Sequence, residues 1–259
     1  MLGKLLRYEF RSIGRLFLPL YGLSILLAIA NRFTSYNPKW EHEMSEFVLM
    51  FAFTAILMGL ALVTFIQCVL RFKRNLLGDE GYLMMTLPVE RMDLILSKLI
   101  AAVAWTIIGG LVGLAALFIT MPTSDLQFAG QMFIDIFRYG GFNGVMFLVY
   151  ATVIGILGVA AVYTPIYTAL SLGHISHKNK MLASFGWYFV NSLAVDVIMS
   201  VGAMTLEKME FYGILGSINI SGTAVSHIIF LSFIGCLLIY NWAHITITNY
   251  VLKNKLNLE

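Results

Sequence analysis

Charged side chains are scarce in this chain of 259 residues. Asp, Glu, Lys and Arg make up 12% of it, whereas 59% of its residues are hydrophobic, and soluble domains carry about 25% charged residues. The mean hydropathy is +0.83. So few charges cannot cover the surface of a soluble domain of this length, and the composition therefore indicates a membrane protein.

Residues and motifs for catalysis are also missing. The two cysteines, Cys68 and Cys236, both lie in apolar runs, where cysteine usually packs as a small hydrophobic residue. The sequence has no GxxxxGK[ST], GxSxG or GxGxxG motif, and HEMSE at 42–46 has Glu46 where a zinc protease has its second histidine. We therefore expect a chain that is not an enzyme and binds no metal or cofactor. Its few basic residues suit anionic lipid, and we expect no nucleic-acid partner.

Apolar runs long enough to cross a bilayer fill most of the chain. A hydrocarbon core of ~30 Å needs ~20 residues of α-helix. Six runs are predicted to be transmembrane helices, at about residues 16–33, 47–70, 97–120, 144–172, 181–204 and 224–246. The predicted fold class is thus an all-α polytopic membrane protein, with residues 16–259 forming a six-span transmembrane domain.

Residues 1–15 precede the first apolar run and are predicted to form an amphipathic helix. Lys4, Arg7, Arg11 and Arg15 follow one another at spacings of three and four residues, and an apolar stripe has the same spacings. A helix with one basic and one apolar face suits the membrane interface. The alternative is a plain basic flank that only sets the topology.

Basic residues are distributed unevenly between the two sides of the predicted bundle. The N-terminus and the segments on its side carry 13 Lys and Arg residues, and the other side carries four. Cytoplasmic segments are enriched in these residues. Both termini are therefore predicted to lie in the cytoplasm.

The polar stretch GDEGYLMMTLPVERMDLILSK lies in the predicted cytoplasmic segment 71–98, between spans two and three. Gly78 and Asp79 can begin a short helix, and Leu87-Pro88 ends it, because a residue before proline leaves the α region. The result is a short helix with an apolar and aromatic tip, suited to a groove on another protein. A solvated turn is the alternative, but it leaves YLMM without a place to pack.

These residues resemble a known family. The loop, with the preceding RFKRNLL, is similar to the cytoplasmic loop of type-2 ABC exporter permeases from Gram-positive bacteria, and LLRYEFRSIGRLFLPLY resembles their N-terminal interfacial helix. The resemblance implies a permease subunit in the bacterial cell membrane, paired with a second permease chain as a homodimer or a heterodimer. It also implies two copies of a separate ATPase subunit, which would bind ATP and Mg²⁺.

The resemblance further assigns the contacts with the ATPase. The coupling helix would supply Asp79, Glu80, Gly81, Tyr82, Leu83 and Met84. The loop GHISHKNK between spans four and five would make a smaller contact near His174 and His177. In this family the coupling helix carries the motion of the ATPase into the membrane, so these residues are expected to transmit the energy of ATP hydrolysis.

Polar residues inside the predicted spans are candidates for the transport path. Gln67 lies in span two, and Asn191 and Asp196 lie in span five. Polar groups at membrane depth usually face protein or water. The alternative for Asp196 is a helix–helix contact in which a neighbouring hydroxyl or amide satisfies the carboxylate.

The function that the resemblance implies is ATP-driven export. The outer connections are short, so we expect an amphipathic or membrane-embedded cargo, such as a peptide, toxin or antimicrobial compound. One alternative is a membrane scaffold or immunity protein that binds a peptide or partner protein without transport. Another is an intramembrane enzyme, but this would need ionisable groups at one depth, and Asp196, His227 and His244 are scattered along their spans.

Overall fold

The structure, a computed structural model, describes residues 2–35, 43–86, 88–176, 179–208 and 222–254. Within these ranges the chain is helical and contains no strand. The α-helices in chain order are α1 Leu2–Ser35, α2 Glu43–Phe72, α3 Asp79–Met85, α4 Arg91–Thr120, α5 Thr123–Gly173, α6 Lys180–Lys208 and α7 Gly222–Asn254. A π-helical turn, Lys73–Leu77, follows α2 directly.

Every described α-helix except α3 is long and apolar enough to cross a membrane, which gives six candidate spans. This number agrees with the prediction and confirms an all-helical, multi-pass fold. The helices extend beyond the predicted spans. The first, α1, runs without a break from Leu2 through residues 15 and 16 into the first apolar run, and α4 begins at Arg91. The orientation of the bundle and the interfacial position of residues 1–15 stay predictions.

The described helices form two units, of which the first comprises residues 1–72 and 92–145. Aromatic side chains fill its core between α1 and α4: Phe17, Tyr21 and Trp105 are buried. The rings of Phe17 and Trp105 meet edge to face at 5.5 Å, and the Tyr21 hydroxyl donates to the Trp105 carbonyl at 3.1 Å. Since such a ring pair adds roughly 0.5–1.5 kcal/mol beyond its burial, this cluster holds α1 along α4.

The C-terminal end of α4 is capped by a side chain from α1. Arg32 Nη1 donates to the carbonyl of Ile119 at 2.7 Å and lies 3.4 Å from that of Met121. The last carbonyls of a helix have no partner within the helix, and a cation there also complements the helix dipole. The contact brings the ends of α1 and α4 together.

The second unit comprises residues 73–91 and 146–259. Buried polar groups join α5 to α7 in this unit. Thr164 Oγ1 donates to Asn241 Oδ1 at 3.0 Å, and Thr168 Oγ1 lies 3.1 Å from a backbone carbonyl of α7. Hydrogen bonds between membrane helices contribute about 0.6 kcal/mol each, so the set stabilises this helix pair modestly.

The long helix α5 is interrupted at Gly141, where φ is +50° and ψ is −133°. Glycine adopts this left-handed region readily because it has no Cβ. At Gly144 an added Cβ would overlap the carbonyl oxygen of Ile136, so the chain bends tightly here. Residues 123–140 therefore form a separate helix before the apolar segment 142–173. The sequence predicts only a short outer connection at this point, and the structure shows a helix.

Candidate functional site

A short helix, α3, lies where the sequence predicts one, within segment 71–98. Gly78 precedes it in an extended conformation, with φ −97° and ψ −169°. The Gly81 N–H donates to the Gly78 carbonyl at 2.8 Å, and at the other end the Thr86 N–H donates to the Tyr82 carbonyl at 3.2 Å. Backbone hydrogen bonds thus close both ends of the helix before Pro88.

The helix α3 packs closely on the π-helical turn Lys73–Leu77. Asn75, Leu76 and Leu77 of the turn are buried. Gly81 faces them without room for a side chain, because an added Cβ would lie 2.7 Å from the Leu76 carbonyl oxygen. π-Helical turns are rare in proteins, and those that occur often lie at functional sites. The contact between two backbones fixes α3 to the turn more rigidly than flexible side chains would.

The outward side of α3 is apolar and open. Tyr82 is 65% exposed and Leu83 is 68% exposed, while Met84 is partly buried. Beside them Glu80 pairs with Arg74 at 3.4 Å. Exposed ion pairs contribute only ~0–1 kcal/mol, so the backbone packing determines the position of α3. An exposed tyrosine on a rigid support is well suited to anchor a protein–protein interface.

Two contacts join the loop to α6 and α7 of the same unit. Lys73 Nζ lies 3.1 Å from Met181 Sδ at the start of α6. Arg91 Nη1 donates to the Lys253 carbonyl in the last turn of α7 at 3.2 Å, and arginine is favourable at a helix C-terminus because it pairs with the free carbonyls. Both ends of segment 73–91 are thereby attached to the second unit.

His174, in the second predicted ATPase contact, follows α5 in this unit. Its Nδ1 donates to the Leu170 carbonyl at 2.8 Å. Burial lowers the pKa of His174 below its ordinary value; the hydrogen bond to Leu170 raises it, and the charges of Lys180 and Lys73 lower it further. The imidazole is therefore neutral at neutral pH. The other histidine of this loop, His177, lies outside the described residues.

A buried acid joins the flanks of the loop in the first unit. Glu9 of α1 is 3% exposed, and its Oε2 accepts a hydrogen bond from Arg71 Nε at 2.6 Å. Its Oε1 pairs with Lys98 Nζ of α4. Arg71 and Lys98 are the first and last residues of the predicted cytoplasmic segment 71–98. One carboxylate thus connects α1 to the two helices from which the loop departs.

Sequence reasoning missed this ion cluster, which we call the Glu9 triad. It counted Arg71 and Lys98 as basic residues for the topology and as part of the loop that resembles the family, and it predicted no ion pair for Glu9. The available signals are that Glu9 is the only acid before Glu41 and that it lies four residues before the core residue Ile13 on the same helix face. An acid in register with a buried stripe requires a buried partner, because an isolated buried charge is costly.

The residues predicted for the transport path lie in different units. Gln67 is exposed on α2 of the first unit, and Asn191 is partly buried on α6 of the second, where it interacts with the Tyr240 hydroxyl. Asp196, also on α6, is exposed, and no hydrogen bond or ion pair joins it to another described residue. A carboxylate at membrane depth usually faces protein or water, because exposure to lipid is costly.

A comparison with known families identifies the family of the chain. Residues 82–250 match the family described as ABC-2 family transporter protein. The chain belongs to this family. No curated protein and no solved structure matches the chain. The matched part of this ABC-2 chain begins in α3 and ends in α7, so Lys98 of the Glu9 triad lies inside it, and Glu9 and Arg71 lie before it.

Family membership gives the ABC-2 chain its general role. It is the membrane-spanning permease subunit of an ABC transporter, and its partner is an ABC ATPase subunit. The six apolar helices agree with a multi-pass membrane protein.

Proposed function

We propose that this ABC-2 permease belongs to an ATP-driven exporter of a Gram-positive bacterial cell membrane, and that α3 is the helix that contacts the ATPase. The observation that carries the proposal is the open Tyr82 and Leu83 tip on a helix fixed by the Gly81 backbone contact. A helix held in this way passes a displacement of its tip to the chain instead of absorbing it.

The proposal requires both chain ends in the cytoplasm. The distribution of Lys and Arg residues supports this orientation. It puts α3 and the His174 loop on the side where an ATPase binds. The first fifteen residues of α1 would then lie at the inner interface, with their basic face toward anionic lipid.

We further propose that the permease pairs with a second permease chain, as a homodimer or a heterodimer, above two ATPase subunits. Exposed polar groups on two spans, Gln67 and Asp196, support pairing, because such groups need protein or water beside them. Asn191 lies on the same helix as Asp196 and would line the same path. ATP and Mg²⁺ would bind to the ATPases, and this chain would hold no cofactor and catalyse no reaction.

The mechanism follows from how the loop is attached. ATP would close the ATPase pair and move α3 together with the π-helical turn. The chain enters the loop at Arg71 and leaves it near Lys98, and Glu9 holds both residues. The movement would therefore reach α2, α4 and α1 together and open the path toward the outer side.

The proposed cargo is an amphipathic peptide, toxin or antimicrobial compound. The described outer connection between α4 and the segment from residue 142 is a single helix and not a folded domain. A described outer connection of this kind suits a cargo that enters from the membrane or from the cytoplasm.

The test is co-purification of the full chain with a co-expressed ABC ATPase, followed by ATPase turnover. The variant combines Tyr82→Ala with Glu80→Lys. The matched control is Tyr139→Ala, which removes a tyrosine that is 81% exposed in residues 123–140. We expect the double variant to lose the ATPase or uncouple its turnover, while the control behaves like the wild type. Equal binding and turnover in all three would contradict the coupling role and favour the scaffold or immunity protein.

A further inference from the structure

The helix of residues 123–140 has one apolar and one polar face. The apolar stripe consists of Leu126, Ala129, Phe133 and Phe137, flanked by Met132 and Ile136. The polar stripe consists of Gln127, Gln131, Asp135 and Arg138. Both stripes recur every three or four residues, which is the period of one helix face.

The described residues leave the apolar stripe open. Leu126 is 41% exposed, Phe133 is 56% exposed and Phe137 is 43% exposed. The centroids of the Phe133 and Phe137 rings lie 5.1 Å apart. Transfer of apolar side chains from water to an apolar environment is favourable in proportion to the area buried, so an apolar environment for this stripe would stabilise the helix.

The place of this helix in the chain fixes it at one membrane surface. Two residues separate it from the end of α4 at Thr120, and the segment 142–173 follows it; both neighbours belong to candidate membrane spans. The Arg32 contact with Ile119 marks the end of α4 at this surface. Eighteen residues of helix extend ~27 Å, and the bend at Gly141 turns the chain from this helix into the next span.

We propose that residues 123–140 lie in the lipid–water interface, which is the outer one in the orientation proposed above, with the apolar stripe in lipid and the polar stripe toward water. Amphipathic helices bind membranes in this way, and aromatic rings are favoured at the level of the headgroups. The helix carries two acids, Asp125 and Asp135, against one base, Arg138. Zwitterionic lipid is therefore the occupant that fits, and attraction to anionic lipid contributes nothing.

The test measures the depth of single spin labels on the full chain in phosphatidylcholine nanodiscs, in a variant that lacks both native cysteines. Phe133→Cys and Phe137→Cys probe the apolar stripe, and Gln131→Cys and Arg138→Cys are the matched controls on the polar stripe. We expect the first pair to collide several-fold more with oxygen, which dissolves in lipid, and the second pair several-fold more with a water-soluble nickel complex.

Two results would overturn the proposal. If all four labels collide freely with the nickel complex, the helix stands in water. If the labels at the phenylalanine positions are shielded from both reagents, a second copy of the chain covers the stripe instead of lipid. Should the phenylalanine variants fail to fold, Ala129→Cys probes the same stripe with a smaller change. The measurement needs no ATPase, so its failure is distinct from a failure of the exporter proposal.

Discussion

Replacing Glu9 with glutamine should destabilise the first unit by removing the one carboxylate of the Glu9 triad. The change keeps the size of the side chain but removes the carboxylate that pairs with both Arg71 and Lys98. Lys98 is 3% exposed, whereas Arg71 is 16% exposed. The arginine therefore has some access to water, and the lysine has almost none.

The expected magnitude follows from this burial. Removing one member of a buried ion pair costs ~3–5 kcal/mol, mainly because the other charge stays buried and unpaired. Partial hydration of Arg71 places the change at the lower end, ~3 kcal/mol. For a chain of this size each kcal/mol lowers the melting temperature by ~2–4 °C, so we expect a fall of ~6–12 °C.

Two further variants show whether charge burial is the cause. Glu9→Gln combined with Lys98→Met should recover most of the loss, because apolar replacement of a buried ion pair is often neutral or stabilising. Arg15→Gln on the same helix is the control. Its side chain is exposed, so removal of its charge should change stability by no more than about 0.5 kcal/mol.

Thermal unfolding in detergent with a thiol-reactive dye measures these effects. Cys68 is buried and reports unfolding, and Cys236→Ser removes the exposed thiol from every variant. The reasoning is refuted if Glu9→Gln melts within about 2 °C of the wild type, which corresponds to less than about 1 kcal/mol. It is also refuted if the double variant is less stable than Glu9→Gln alone.

Three other variants test the coupling surface and the path. Gly81→Ala should reduce ATPase co-purification, because its Cβ would lie 2.7 Å from the Leu76 carbonyl oxygen, whereas Gly59→Ala meets nothing within 4 Å and should not. Because folding lowers the pKa of His174, the unfolded chain gains its proton first as pH falls through about 6.5. The contribution of His174 to the stability of the folded chain is thus fully present above that pH and is lost as the pH falls below it. Unfolding curves at about pH 7.5 and 5.5 should therefore show a smaller loss of stability on acidification in His174→Asn than in the wild type. Asp196→Asn should leave the melting temperature unchanged and lower export from membrane vesicles; unchanged export would exclude this residue from the path.

The spans and the short loop helix could be predicted from sequence because their causes are local. Hydropathy over ~20 residues identifies a span wherever it packs, and the six candidate spans follow it. The prediction of the short helix depended on neighbouring residues, with Gly78 before the helix and Pro88 after it. Both signals act within a few residues and need no knowledge of tertiary contacts.

The features that sequence reasoning missed depend on distant contacts or on backbone conformation. Glu9 meets Arg71 and Lys98 across 62 and 89 residues, and nothing in the local pattern of α1 names these partners. The positive φ of Gly141 is one of several backbone conformations that glycine adopts readily, so the sequence does not predict it. Because the sequence does not reveal this break, it indicates only that residues 123–140 belong to a connection between two spans.

The Glu9 triad also constrains how a movement of the loop could pass into the membrane. If the chain at Arg71 and the chain at Lys98 separated, the carboxylate of Glu9 would have to release one of them, and that cation would lose its ion pair with Glu9 at a largely buried position. The cost of such a release, of the order of 3 kcal/mol, opposes separation of α2 from α4 at this level. Movement of the two helices as one body keeps both pairs and requires α1 to follow, since Glu9 and the Tyr21 bond to Trp105 both attach α1 to α4. A variant with an intact α3 and a broken triad should therefore bind the ATPase normally and fail to couple its turnover to export.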